Sequence, residues 1–298
     1  MKVVLYGCTG QVGEALLNAF GDEFQWVLPR RNSSDGDLLN PEGIYAYLLE
    51  ESPQAIVNAA AFTDVDGAEA RTHEATVINA FSPRAMALAA KKTGAYFVHL
   101  STDYVFNGQG NRSWQENDPV SPINAYGRTK AEGEAAVFEL NPNCAVLRLS
   151  WLHAARHKNF VTALLNCLTD QRNISVVDDQ WGAPTAAADV ANVVARMLVS
   201  HRQGVSLNGI YHFSNSGFCS RYDCAQAVLQ WLRENRVQWA DKCSLRRIKT
   251  ADLHSLASRP LNCRLDSSKL QRTLKIVPRS WQEALGATLE QCKRNGLF

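Results

Sequence analysis

Tyr126 and Lys130, four residues apart in Asn124-Ala-Tyr126-Gly-Arg-Thr-Lys130, are the two side chains of this sequence best suited to moving a proton. If the run opens a helix they share a face, and an ammonium lies beside a phenol. A phenol titrates near ~10 in water; a neighbouring cation stabilises the phenolate, lowers that value and makes the hydroxyl a usable acid or base near neutrality. The same spacing also occurs on solvated helices, where a tyrosine packs on a lysine stem. The chemistry therefore depends on what other elements bring to the pair.

The first such element is a strand, turn and helix at the start of the chain. Residues 3–6 form a short apolar run without alternation, as expected of a strand buried on both faces of a parallel sheet. Gly7-Cys-Thr-Gly10-Gln11-Val12-Gly13 follows, then the helical pattern of Ala15, Leu16, Leu17, Ala19 and Phe20. Glycines let the backbone turn tightly and approach a pyrophosphate, whose charge is met by the N–H groups at the helix start. Between a strand and a helix, this turn predicts a dinucleotide site. After a second strand, residues 24–28, NAD-binding proteins usually place a carboxylate for the adenosine ribose, but here Pro29-Arg30-Arg31 occupies that place. Two guanidinium groups suit a 2′-phosphate, so NADPH is expected to be preferred, without excluding use of NADH.

Ala55-Ile-Val-Asn-Ala59-Ala60-Ala61 reads as a third buried strand ending in small residues that let a cofactor lie against the backbone; Phe62 and Thr63 continue this wall. A long helix is expected over residues 74–93, leading into a strand at 96–100 in which His99 reads as a packing histidine. The strand runs into Ser101-Thr102-Asp103, and because adjacent strand residues face opposite sides, only one of Ser101 and Thr102 readily faces a given ligand. Asp103 could accept bonds from sugar hydroxyls.

Composition removes several alternatives. With 298 residues, 46% of them hydrophobic, the chain can bury a large core. A formal net charge of +2, without long basic runs, excludes charge-driven binding to nucleic acid or a membrane surface. The apolar stretch before Gly7 is too short for a signal-peptide core or a membrane span, which predicts a cytoplasmic protein. Cys219, Cys224 and His212 fit no zinc-finger or ribbon spacing, and no metal site is expected.

The Gly-x-x-Gly-x-x-Gly spacing with a later Tyr-x-x-x-Lys resembles the extended short-chain dehydrogenase/reductase superfamily. That resemblance implies that Asp37 and Leu38 lie over the adenine, that Thr102 bonds the substrate carbonyl oxygen, and that Tyr126 and Lys130 complete the catalytic set. Seven collinear segments resemble the dTDP-4-dehydrorhamnose reductase family more closely. They are Gly10-Gln-Val-Gly13, Val57-Asn-Ala-Ala-Ala61 with Val65-Asp and Ala68-Glu69, Ser101-Thr-Asp-Tyr-Val-Phe106, Tyr126-Gly-Arg-Thr-Lys130, Leu149-Ser-Trp151, Asp179-Gln-Trp-Gly-Ala-Pro-Thr185 and Ser258-Arg259-Pro-Leu-Asn262-Cys-Arg264. The family implies reduction of the C4 ketone of a dTDP-sugar in cell-surface polysaccharide biosynthesis, with Lys130 on the nicotinamide ribose lowering the Tyr126 pKa. Val65 and Trp151 would shape the sugar pocket, and Arg259 and Asn262 would serve the substrate's diphosphate segment.

The implied fold is α/β, a Rossmann-type doubly wound parallel sheet with a smaller α/β C-terminal substrate lobe. Residues 1–150 would form the dinucleotide-binding domain, with later segments rejoining it, and residues 151–298 mainly the substrate lobe. Family members described as metal-linked dimers carry carboxylates where Ala15 and Ala188 stand here. Neighbouring Glu14 and Asp189 point about a hundred degrees away on a helix, so a monomer or weak homodimer without a metal bridge is expected. Two alternatives stay open: a related 4-ketoreductase making another deoxysugar, and a non-catalytic dinucleotide-binding subunit on the same fold, as in the methionine adenosyltransferase regulatory subunit.

Overall fold

Val3, Val4 and Leu5 are wholly buried in strand β1 (Lys2–Tyr6), as their unbroken apolar run requires. The computed structural model describes residues 1–30, 33, 35–170, 173–205 and 207–298. β1 pairs with β2 (Gln25–Val27) on one side and β3 (Ala55–Asn58) on the other. β4 (Tyr96–Thr102), β5 (Cys144–Leu149) and a sixth strand, Gly209–Phe213, extend the sheet beyond β3, all in parallel. The chain leaves β1 to one side and returns on the other, so the strand order reverses between β1 and β3. Ligands of such sheets bind at that switch point, beyond the carboxyl ends of the strands.

Successive strand residues alternate faces, and helices cover both. Val3, Leu5, Val57 and Val98 pack with Val12 and Leu16 of α1 (Gln11–Phe20) and with Val190, Val194 and Leu198 of the helix Ala187–Arg202. Val4, Tyr6, Ile56 and Phe97 pack with Ile44 and Leu48 of α2 (Pro41–Glu51) and with Met86 and Ala90 of the helix Ser82–Thr93. The expected helix over 74–93 is not continuous: Thr72–Thr76 leads through a π-helical turn, Val77–Phe81, into Ser82–Thr93. That turn places Asn79, whose amide bonds both N–H and C=O of Phe62 and the hydroxyl of Thr129. The wall of the switch point is thereby tied to the helix that carries the tyrosine.

A second core lies beyond Leu149. Leu164, Leu165, Val228, Leu229, Leu285 and Leu289 join Trp151 there, from the helices Phe160–Asp170, Arg221–Glu234 and Trp281–Arg294. A parallel pair of strands, Asn173–Val177 with Ser244–Ile248, borders it. Between these elements the chain returns to the first core to supply the helix Ala187–Arg202 and the sheet's sixth strand.

Candidate active site

The carboxyl ends of β1, β3 and β4 open into a cleft of about 1580 Å³. A single drug-sized ligand occupies roughly 300–1,000 Å³, so the space suits two ligands end to end. At its floor Gly7 has φ +82°, and a Cβ there would stand 2.6 Å from the Ala60 nitrogen. Gly10 caps α1 without a side-chain bond, leaving the N–H groups of the first turn, from Gln11 and Val12, directed to the cleft wall. Gly13 does not line the cleft: a Cβ there would meet the Gly7 carbonyl oxygen at 2.1 Å, so its part is to let the helix close on the turn.

Exposed Arg30, together with Asp37 and Leu38, lines one end, where the Asp37 carboxylate accepts the Leu39 N–H at 2.9 Å. Arg31 lies outside the described residues. Ala59, Ala60, Ala61, Phe62, Thr63 and Val65 form the opposing wall, as their small or apolar side chains allow.

Thr102, Tyr126 and Lys130 meet at the centre of this cleft. Tyr126 lies in the first turn of the helix Ala125–Leu140, which Asn124 caps by accepting the Gly127 N–H at 2.8 Å. The Asn124 amide nitrogen donates to the Ser258 carbonyl at 2.8 Å, and Gly127 sits where a Cβ would be 2.1 Å from the Tyr104 carbonyl oxygen. Helix, β4 extension and late loop are thus locked together. The Tyr126 and Tyr104 rings meet edge to face, with centroids 5.6 Å apart, and the Thr102 hydroxyl is close enough to the phenol to favour its ionised form. Thr102 in turn donates to Asp103 Oδ1 at 3.1 Å. Ser101 also reaches the cleft wall, its buried hydroxyl without a protein partner.

Two expectations about this group need correction. Burial pushes the Tyr126 phenol up to about 12, with the Thr102 hydroxyl working against that rise and Asp103 adding to it. Lys130 does not lower it here. The lysine shares the tyrosine's helix but extends beneath it, donating to the Leu100 carbonyl at 2.6 Å and lying 3.4 Å from His99 Nε2. Burial draws Lys130 down to about 8, while Glu134 acts in the opposite sense. His99 is a buried core residue, as expected, and also a neighbour of Lys130.

The far end of the cleft holds Asp103 and Trp151 as expected. Asp103 is buried, and desolvation raises its carboxyl to about 6 against the bonds from Cys263 and Thr102 and the charge of Arg221. Trp151 has φ +46°, a conformation costing a non-glycine residue roughly 1–2 kcal/mol. Its indole lies where a Cβ on Gly182 would be 2.6 Å from the ring. The Arg221 guanidinium stacks 3.7 Å from the Trp151 ring and 4.8 Å from that of Phe160, facing the same space. Sequence reasoning missed Arg221. The available signal is local: an arginine at the first position of a helix opposes the helix dipole, and such a misfit often marks a site.

Arg259 and Asn262 do not line the cleft. Arg259 is turned to Asp66, donating to Oδ2 at 2.7 Å, while Asp66 Oδ1 accepts the Ala257 N–H. Asn262 donates to the Arg112 carbonyl at 2.7 Å, and its own carbonyl accepts the Trp114 indole N–H. Both fasten the 258–264 segment to the sheet side of the molecule. Glu14 is bonded by Arg156 and His157, and Asp189 by Asn215 and Arg279. Among the described residues no helix is long and apolar enough to cross a membrane.

Comparison with known proteins agrees with this geometry. The family described as the RmlD substrate binding domain matches residues 1–294. The chain is similar to dTDP-4-dehydrorhamnose reductase of Salmonella typhimurium, 36% identical over 284 residues that cover 95% of each chain. Its structure resembles that of a dTDP-4-dehydrorhamnose reductase from Clostridium acetobutylicum, with TM-score 0.90 and 31% identity, over 98% of this chain and 100% of the other. It also resembles the Bacillus anthracis reductase solved in complex with NADP, with TM-score 0.86 and 30% identity, over 97% and 99% of the two chains.

Proposed function

The chain belongs to the RmlD family of NAD(P)-dependent reductases, and from that premise we propose that it reduces the C4 ketone of dTDP-4-dehydrorhamnose to dTDP-L-rhamnose with NADPH, in the cytoplasm. The observation that carries the reading is that Thr102, Tyr126 and Lys130 line one cleft together with a glycine turn whose backbone no larger residue could adopt.

The residues present fit a dinucleotide. The Gly7 to Val12 turn and the start of α1 would hold the pyrophosphate, Arg30 and Asp37 the adenosine end, and Ala59 to Thr63 the nicotinamide half. When bound, NADPH supplies the hydride. The chain's own work is proton transfer and positioning. Thr102 and Tyr126 present two hydroxyls to one point, which suits a ketone oxygen that gains charge as C4 is reduced. Tyr126, protonated throughout the neutral range because burial holds its pKa near 12, gives its proton to that oxygen. Asp103 accepts from sugar hydroxyls, Trp151 and Val65 bound the sugar, and Arg221, clamped between two rings, meets the substrate's diphosphate. In this reading Arg221 serves the diphosphate alongside or in place of Arg259, the arginine that the family resemblance implies.

The test is NADPH oxidation by the purified protein with dTDP-4-dehydrorhamnose, with the product identified by NMR. Formation of dTDP-L-rhamnose supports the reading; a different C4 epimer makes the protein a related ketoreductase. No oxidation, with NADPH bound, makes it a dinucleotide-binding subunit.

A further inference from the structure

Lys130 touches a buried histidine–amide pair whose hydrogen-bond directions are fixed by the neighbouring backbone. His99 on β4 is fully buried, with Nε2 3.4 Å from Lys130 Nζ and Nδ1 3.1 Å from Asn58 Nδ2 on neighbouring β3. The Asn58 amide cannot be turned over, because its Oδ1 accepts the Ala60 N–H at 3.1 Å. Its nitrogen must therefore donate to His99 Nδ1. That places the single proton of the neutral imidazole on Nε2, aimed at Lys130. An ammonium has three protons and no lone pair, so it cannot receive this N–H; a neutral amine can. An imidazolium fits worse, since it would also set an N–H against the Asn58 amide.

We propose that His99, with its tautomer set by Asn58, is a positioning residue that disfavours the ammonium form of Lys130 in the empty cleft, and that seating the cofactor draws Lys130 off His99 with uptake of one proton from solvent. The second half rests on the NADPH reading; the first does not. No other group facing Lys130 undoes the effect. On its own helix Tyr126 stays uncharged, and Glu134 favours the cation, but three contacts of 2.6–3.1 Å from Arg148 of β5 occupy its carboxylate. Asn58 on β3 carries no charge. The Leu100 carbonyl accepts from both forms, more strongly from the ammonium, and so opposes His99 without supplying an acceptor for the His99 N–H. Burial, aided by the Lys130 charge, also holds His99 well below the usual imidazole range, in keeping with an uncharged ring. Ribose hydroxyls of a bound dinucleotide would offer the lysine acceptors in place of the His99 N–H, and the charged form would return.

Nitrogen-15 NMR of the full chain without cofactor reads the tautomer directly. His99 should be protonated at Nε2 and should not titrate between about pH 5.5 and about 9, and Lys130 should titrate near 8. Asn58→Asp supplies the reversing change: its carboxylate still takes the Ala60 N–H but accepts from Nδ1, which moves the proton off Nε2 and lets Nε2 accept from an ammonium. Lys130 should then titrate above its wild-type value, although burial still holds it down. Calorimetry of NADP⁺ binding at pH ~8.5, in two buffers of different ionisation enthalpy, should show uptake of more than half a proton in the wild type and clearly less in Asn58→Asp. An Nδ1-protonated His99 in the wild type overturns the proposal without needing the variant, as does a Lys130 titration that Asn58→Asp leaves unmoved. Binding without proton uptake overturns the second half alone. Failure to bind NADP⁺ at all refutes the cofactor reading and with it the second half, and leaves the tautomer result standing.

Discussion

Removing the Tyr126 hydroxyl separates proton transfer from everything else the residue does. Tyr126→Phe keeps the ring against Tyr104, and the helix cap at Asn124 and the Thr129 bond to the Tyr126 backbone carbonyl do not involve the lost oxygen. Folding loses at most one hydrogen bond's worth of stability, about 1 kcal/mol. Catalysis loses its proton donor, a contribution of roughly 10²–10⁴-fold, or about 3–5 kcal/mol of transition-state stabilisation. Single-turnover NADPH oxidation should slow by that factor, while NADPH affinity, read by fluorescence, should change less than ~2-fold, because the glycine turn and Lys130 are untouched. Thr102→Val sharpens the test. Two hydroxyls that act on one oxygen form a unit, so the double variant should be only slightly slower than Tyr126→Phe alone. A loss below ~10-fold in Tyr126→Phe, or strictly additive losses in the double variant, would refute the assigned chemistry.

Burial holds the Asp103 carboxyl at about 6, above the ordinary 3.8, so the fold favours its protonated form. Its contribution to stability is therefore complete below about pH 4 and is lost as pH rises through about 6, by about 3 kcal/mol. Urea unfolding should show Asp103→Asn equal to wild type near pH ~4 and more stable near pH ~7.5; a constant difference between the two pH values contradicts this. A methyl group on Gly182 would stand 2.6 Å from the Trp151 ring, so Gly182→Ala should raise KM for the sugar nucleotide ~10-fold or more and leave cofactor affinity alone. Steady-state constants decide it, and equal losses for both ligands would place Trp151 elsewhere. The double variant Arg30→Ala/Arg31→Ala should lose its preference for NADPH over NADH; a wild type that uses both equally removes the basis for that expectation. With alanines, Ala15 and Ala188, where the family resemblance implies metal-bridging carboxylates, light scattering should give the same mass with and without chelator, and a chelator-sensitive dimer would contradict it.

What could be read from the sequence, and what could not, divides along one physical line. Gly7, Tyr126 and Lys130 were legible because each is bound to a local signal, a strand-to-helix turn or a capped helix start, whereas Thr102 was singled out only by the family resemblance, and both it and Ser101 line the cleft. The unbroken apolar strands likewise announced a sheet covered on both faces. Non-local geometry was not legible. An arginine reads as a candidate anion ligand wherever it stands, and only the fold shows that Arg259 gives Nη2 to Asp66 and keeps Nη1 buried without a partner, while Arg221 lines the cleft against two aromatic rings. The tyrosine and lysine share a helix face, as their spacing requires, yet the electrostatic pairing inferred from it is absent, because a lysine is long enough to reach the backbone of β4 instead. His99 looked like packing because it sits inside an apolar strand. The same burial is what gives it consequence: in solvent, water would satisfy either tautomer, whereas between Asn58 and Lys130 a single proton position must serve both neighbours. Such a site carries no sequence signature, since its meaning lies in the direction of hydrogen bonds across three adjacent elements.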